Sequence, residues 1–278
     1  MQNLIYFSLA LAPIITIILF IYFKDKYKKE PFLLLFFCFL GGMISIIPAI
    51  IIEMAVEHIG LDKSDNIWIT AIYAIAIVGF FEELVKFLVV RIIVYKHSEF
   101  NEPFDGIVYA VMVSMGFAAV ENVFYVFYSN TPETTALIRA FTAVPAHAVF
   151  AIIMGYYIGM ARFTFSRKRS RYLWKGLITA SLLHGLYDFF LFQRLSVYLT
   201  IVSLVILIIA IIFSFRAIKI RQRMSPFKKQ LSLHKKLSET HTSDEIALKK
   251  LKIFRNIARL KLEKKKAKKD DKPSPEDF

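Results

Sequence analysis

Apolar residues along this chain gather into long unbroken runs instead of the three-and-four spacing of a surface helix. A helix needs ~20 apolar residues to cross the hydrocarbon core, and the runs predict seven such helices, over about 3–23, 32–52, 67–90, 104–128, 136–161, 176–193 and 196–215. The predicted fold class is all-α, a polytopic membrane helix bundle. The first run is preceded only by Met1-Gln2-Asn3, with no positive charge, and is longer than a signal-peptide apolar core. It is expected to stay attached.

Short loops rich in Lys and Arg remain cytoplasmic, so charge sets the orientation. Lys24, Lys26, Lys28 and Lys29 follow the first run, and Arg162, Arg167, Lys168, Arg169 and Arg171 follow the fifth. The alternate loops are acidic or neutral: 53–66 carries Glu53, Glu57, Asp62 and Asp65 against Lys63, and 129–135 has neither Lys nor Arg. Seven crossings with the N-terminus outside and the C-terminus inside satisfy every loop, and place the chain in the cell membrane.

Composition sharpens the division of the chain. Of 278 residues, 56% are hydrophobic and 27 are Phe, yet the net charge is +14. Residues 216–278 hold 20 Lys plus Arg against 8 Asp plus Glu, so the basicity belongs to the tail. The expected organisation is a membrane core over 1–215 and a basic cytoplasmic tail over 216–278. Within the tail, Ser243-Asp244-Glu245 reads as a helix start, and Leu251, Phe254, Ile257 and Leu260 as an apolar stripe before the run Lys264–Lys269. A solvated tail and a tail docked on anionic lipid headgroups both fit. Nucleic acid binding is not expected, because no recognition motif accompanies the charge. The single cysteine, Cys38, lies inside an apolar run and excludes both a disulfide framework and a thiol-based metal site.

Ionisable residues inside the runs mark the candidate site, since a charge at bilayer depth costs at least a few kcal/mol (~3) and is expected to face protein or a wet cavity. Glu82 and Glu83 point ~100° apart on one helix, and Lys86 stands one turn beyond Glu82, where ammonium and carboxylate can pair. His184 and Asp188 share one face of the sixth run, and His147 lies near the middle of the fifth. At ~1.5 Å per residue all of these reach well into the bilayer. Glu121 and Asn122 lie toward the outer end of the fourth run, after Gly116-Phe117-Ala118-Ala119, whose small residues allow close helix approach. There Glu121 suits an ion pair with Arg139, and Asn122 suits bonding to backbone groups.

Carboxylates beside imidazoles in a partly dry site can take a proton from water that attacks a carbonyl, while donors stabilise the oxyanion. The same residues suit zinc with an open coordination position, although no contiguous His-Glu-x-x-His is present. They also suit a proton- or cation-coupled transporter, but no inverted duplication of the helices is visible. No Gly-x-Ser-x-Gly elbow supports a serine nucleophile.

Five blocks in order, Lys29-Glu30-Pro31, Glu82-Glu83-x-x-Lys86, Gly116-Phe117-Ala118-Ala119-x-Glu121-Asn122, His147 with Gly155, and His184-x-x-x-Asp188, resemble the PrsW family of intramembrane proteases. That family is similar in turn to the CAAX-processing and bacteriocin-processing membrane proteases. The resemblance covers roughly residues 24–190. It implies hydrolysis of a membrane-anchored protein substrate, an anti-sigma factor or a similar regulator, with Glu82 as the base that activates water and Glu83 assisting. His147 would orient that water or ligate a metal, and His184 with Asp188 would stabilise the oxyanion or complete the metal site. In the wider group the position of Asp188 can be Asn; an ionised Asp only accepts hydrogen bonds. Lys86, Glu121 and Asn122 are implied as supporting residues. Both metal-dependent and glutamate-dependent chemistry remain open at this point.

Overall fold

A computed structural model describes residues 1–60, 66–165, 167–193, 195–228, 248–257 and 259. Among them there is no strand. The helices are α1 (Gln2–Lys24), α2 (Phe32–His58), α3 (Ile67–Ile72), a π-helical stretch (Tyr73–Gly79), α4 (Phe80–Ile93), α5 (Asp105–Phe127), α6 (Pro132–Phe141), α7 (Ala143–Arg162), α8 (Lys168–Phe192) and α9 (Val197–Arg223). Local chemistry sets several starts. Asn66 and Ser196 cap α3 and α9 by accepting from the amides of Trp68 and Tyr198, and Pro132 occupies the first turn of α6, where no amide is needed.

The expected apolar stretches are helical, with shifted ends. Residues 67–93 run on through α3, the π stretch and α4, while the fifth segment is split at Thr142 into α6 and α7. The sixth helix begins at Lys168 inside the basic stretch, and the seventh continues to Arg223, beyond the apolar run. Hydropathy marks the part of a helix that meets lipid; the backbone hydrogen bonds continue past it. Five segments, Gln2–Lys24, Phe32–His58, Asp105–Phe127, Pro132–Arg162 and Val197–Arg223, are long and apolar enough to cross a membrane.

Helix α5 is the axis of the bundle and is buried over most of its length, packed against α1, α2 and α7; α8 in turn packs on α7, α9, α4 and the π stretch. Glycine decides how close two of these contacts come. A Cβ on Gly116 would collide with the carbonyl oxygen of Phe39 on α2, and one on Gly79 would lie 2.5 Å from the amide nitrogen of Gly185 on α8. The second contact brings the helix of Glu82 and Glu83 against the helix of His184. Irregular backbone accumulates beside these residues: the π stretch ends just before Glu82, and the Thr142 break lies just before His147. Such features are tolerated at membrane depth where they adjoin a cavity, and π turns recur at functional sites.

The chain divides into two compact units, Met1–Ser225 and Pro226–Phe278. In the second, residues 248–257 are helical, with Leu248, Leu251 and Phe254 exposed. The expected helix start at 243–245, Leu260, the run Lys264–Lys269, and Asp62, Lys63 and Asp65 lie outside the described residues.

Candidate active site

The bundle brings the expected residues together. Lys86 Nζ, on the inner face of α4, donates to Glu82 Oε2 and Glu83 Oε1, each at 2.9 Å, and lies 3.3 Å from His147 Nδ1. It also sits 4.0 Å from the centre of the Phe117 ring. The ammonium was expected to pair with Glu82; it bridges both glutamates, because positions three and four residues back flank the same side chain. All three side chains are buried, and their charges compensate one another where water is scarce.

The histidines are held in place on both sides. His147 Nε2 donates to Glu121 Oε2 at 2.7 Å, and Arg139 Nη2 pairs with the same oxygen at 3.0 Å. Arg139 Nε donates to Asn122 Oδ1 at 2.6 Å, while Asn122 Nδ2 donates across to the Ala10 carbonyl of α1 at 2.7 Å. Glu121 and Asn122 thus take the ion-pair and backbone-binding parts expected of them. His184 has Nδ1 3.1 Å from Glu83 Oε1 and Nε2 3.2 Å from Asp188 Oδ2, and its ring stacks on Phe150 with centroids 4.9 Å apart. The two imidazoles meet edge to face at 5.3 Å.

A cavity of about 340 Å³ opens over this floor. Glu82, Glu121, His147, His184 and Asp188 line it; Glu83 and Lys86 lie behind it. Sequence reasoning missed part of its wall. Glu53 and Glu57 were counted as loop charges one residue and more past the second apolar run, but α2 continues to His58 and turns both onto the cavity, together with Tyr73, Tyr125 and Tyr187. Their four-residue spacing, continuous with Ile46, Ala49 and Ile50 on one helical face, was the available signal.

One ligand atom from each of Glu82, His147 and His184 lies within 4.8 Å of the other two. Among the described residues this is the one such grouping of three metal-binding side chains. The donor set fits a divalent metal: two imidazoles and a carboxylate leave a position open toward the cavity. Carboxylates on other ring nitrogens, Glu121 for His147 and Glu83 for His184, are the outer partners that orient ligating histidines.

A separate cluster of acids lies away from the cavity. Asp25, Glu30, Glu102 and Asp105 are all buried, with Tyr109 donating to Glu30 and Ser225 donating to Glu102. Burial, reinforced by the neighbouring Glu102 carboxylate, pushes Asp25 up to about 7. Burial and then Asp105 and Asp25 push Glu30 up to about 9.

Comparison with known proteins bears on these geometries. A family described as PrsW family intramembrane metalloprotease matches residues 30–215. Protease PrsW of Geobacillus kaustophilus (strain HTA426) is 38% identical over 187 residues, 67% of this chain and 80% of its own length. Protease PrsW of Bacillus subtilis (strain 168) is 36% identical over 184 residues, 66% and 81%, and that of Oceanobacillus iheyensis is 35% identical over 206 residues, 73% and 92%. No solved structure matches. The transporter alternative finds no support in these likenesses.

Proposed function

From the premise that the chain belongs to the PrsW family of intramembrane metalloproteases, and is a multi-pass protease of the cell membrane, we propose that Glu82, His147 and His184 hold its catalytic divalent metal. Two imidazoles and one carboxylate suit zinc. The observation that carries this assignment is the convergence of their ligand atoms to within 4.8 Å of one another on the cavity floor. Seven crossings with the N-terminus outside accompany it, so that the cavity, ringed by the ends of α2, α5 and α8, opens to the outer side.

An ion held there supplies Lewis-acid polarisation of the scissile carbonyl and of the attacking water. The chain's own groups do the rest. Asp188, on the cavity lining, takes a proton from the water and returns it to the leaving amine. Glu121 and Arg139 fix the proton of His147 on Nε2, which leaves Nδ1 as an acceptor 3.3 Å from Lys86 Nζ. Glu83 reaches no cavity surface; it positions His184 and Lys86. Phe117 and Phe150 pack beside the imidazoles and limit water to the cavity side. In a metal-free chemistry Glu82 would be the base, with Glu83 assisting and His184 and Asp188 meeting the oxyanion.

The substrate is a membrane-anchored protein with a segment on the outer side, of which an anti-sigma factor or a similar regulator is the class suggested by the family likeness. The basic tail from 216 meets anionic headgroups on the inner side. Purification in detergent, metal analysis, and cleavage of a single-pass reporter with and without chelator test the assignment. Zinc and activity are expected to be lost together, and Glu82→Ala, Glu83→Ala and His184→Ala to accumulate without cutting. Full activity in all three variants overturns it.

A further inference from the structure

The acidic groups around the cavity are not all matched by cations, and the unmatched ones sit on one wall. At the floor, Glu82, Glu83, Glu121 and Asp188 are four carboxylates facing the cations Lys86 and Arg139. A divalent ion on Glu82, His147 and His184 brings that group to neutrality. Glu53 and Glu57 on the last turns of α2 then remain, among the described residues, as carboxyl groups with no cationic side chain paired to them. Glu57 accepts a hydrogen bond from Tyr73 Oη at 3.0 Å. Glu53 is half-buried on the cavity wall, and among the described residues no side chain bonds to it.

A carboxylate drawn partly out of water, without a partner, in the cavity where a peptide must lie is matched by a cation that arrives with that peptide. We propose that Glu53, with Glu57 beyond it toward the mouth, is the specificity determinant of this protease and receives a lysine or arginine side chain of the substrate close to the bond that is cut. The proposal rests on the protease assignment above. Three features place the basic residue on the outer side of the scissile bond. Glu53 and Glu57 are one turn apart on the same helical face; both lie closer to the end of α2 than Ile46, Ala49 and Ile50, which line the cavity on the same face; and Arg139, the cavity's own cation, is already held by Glu121 and Asn122. Acidic side chains at the same substrate position would meet like charge and be rejected.

The test uses the full chain in detergent and a single-pass reporter whose outer juxtamembrane segment carries Lys, Gln or Glu at each of several positions. Cleavage is followed, and binding of the same segments as labelled peptides is measured separately by fluorescence anisotropy. At one position the Lys form is expected to be preferred over Gln by about 10- to 100-fold in kcat/KM, the range of a charge-assisted hydrogen bond, with Glu weaker again. Glu53→Gln should erase the preference and Glu53→Lys should reverse it, read as the ratio between reporters within each variant, so that a general loss of yield cancels. Cleavage without any preference, or a preference unchanged in Glu53→Lys, overturns the proposal and leaves the protease assignment standing. Selective binding of the Lys peptide that depends on Glu53, without cleavage of any reporter, supports recognition by Glu53 and counts against the protease assignment. The absence of both selective binding and cleavage overturns the proposal as well.

Discussion

Replacing Lys86 by Met leaves two carboxylates buried without their shared cation. At an effective dielectric of about 20, two unit charges 2.9 Å apart attract by about 6 kcal/mol, and Lys86 makes two such contacts. Desolvation of the ions consumes much of that gain, and removal of one partner from a buried pair costs about 3–5 kcal/mol. Set against a total stability of about 5–15 kcal/mol, the loss is large. For a core of this size it corresponds to a melting temperature about 6–20 °C lower. The assay is a thermal melt of the detergent-solubilised protein, paired with cleavage. The triple variant Lys86→Met, Glu82→Gln, Glu83→Gln removes the stranded charges as well, and is expected to regain at least half of the lost melting temperature while remaining inactive. If Lys86→Met melts within about 2 °C of the parent, or the triple variant melts no higher than the single one, the charge-compensation account of this site is wrong.

Two further outcomes follow from other parts of the molecule. Glu121→Gln weakens the outer bond to His147 and the pairing with Arg139, so metal affinity, read by chelator titration, should fall about 10- to 100-fold; unchanged affinity would remove Glu121 from its orienting part. Asp25 and Glu30 bind protons more tightly in the folded chain than their ordinary values of 3.8 and 4.5, so stability is greatest at low pH and falls as pH rises from about 4 through about 7 and about 9. The expected slope is about 1.4 kcal/mol per pH unit for each group within its window. Melts between about pH 5 and pH 8 should show it, Asp25→Asn should flatten it, and a melting temperature that rises over that range would contradict it.

Legibility varied with how local each cause was. The helical runs could be read directly, because lipid demands long apolar stretches and penalises every exception, which also picked out Glu82, Glu83, Lys86, His147, His184 and Asp188. Helix ends were less legible: α2 continues past its apolar run to His58, and so Glu53 and Glu57 passed for loop charges when they are cavity wall. The split at Thr142 did carry a local signal, Pro145 in the first turn of α7, where a missing amide is tolerated.

The amino-acid order alone determined which side chains had to be sheltered, since burying an ion is costly wherever its helix lies. Spacing along one helix was enough to pair Lys86 with Glu82, and His184 with Asp188. Only the tertiary structure decided that Glu83 turns to His184 across 101 residues, that Glu121 reaches His147, and that Glu82 faces a cavity while its neighbour does not. Those relations depend on the angles and separations at which α4, α5, α7 and α8 pack, and these are set by contacts such as Gly79 on Gly185, between residues far apart in the chain.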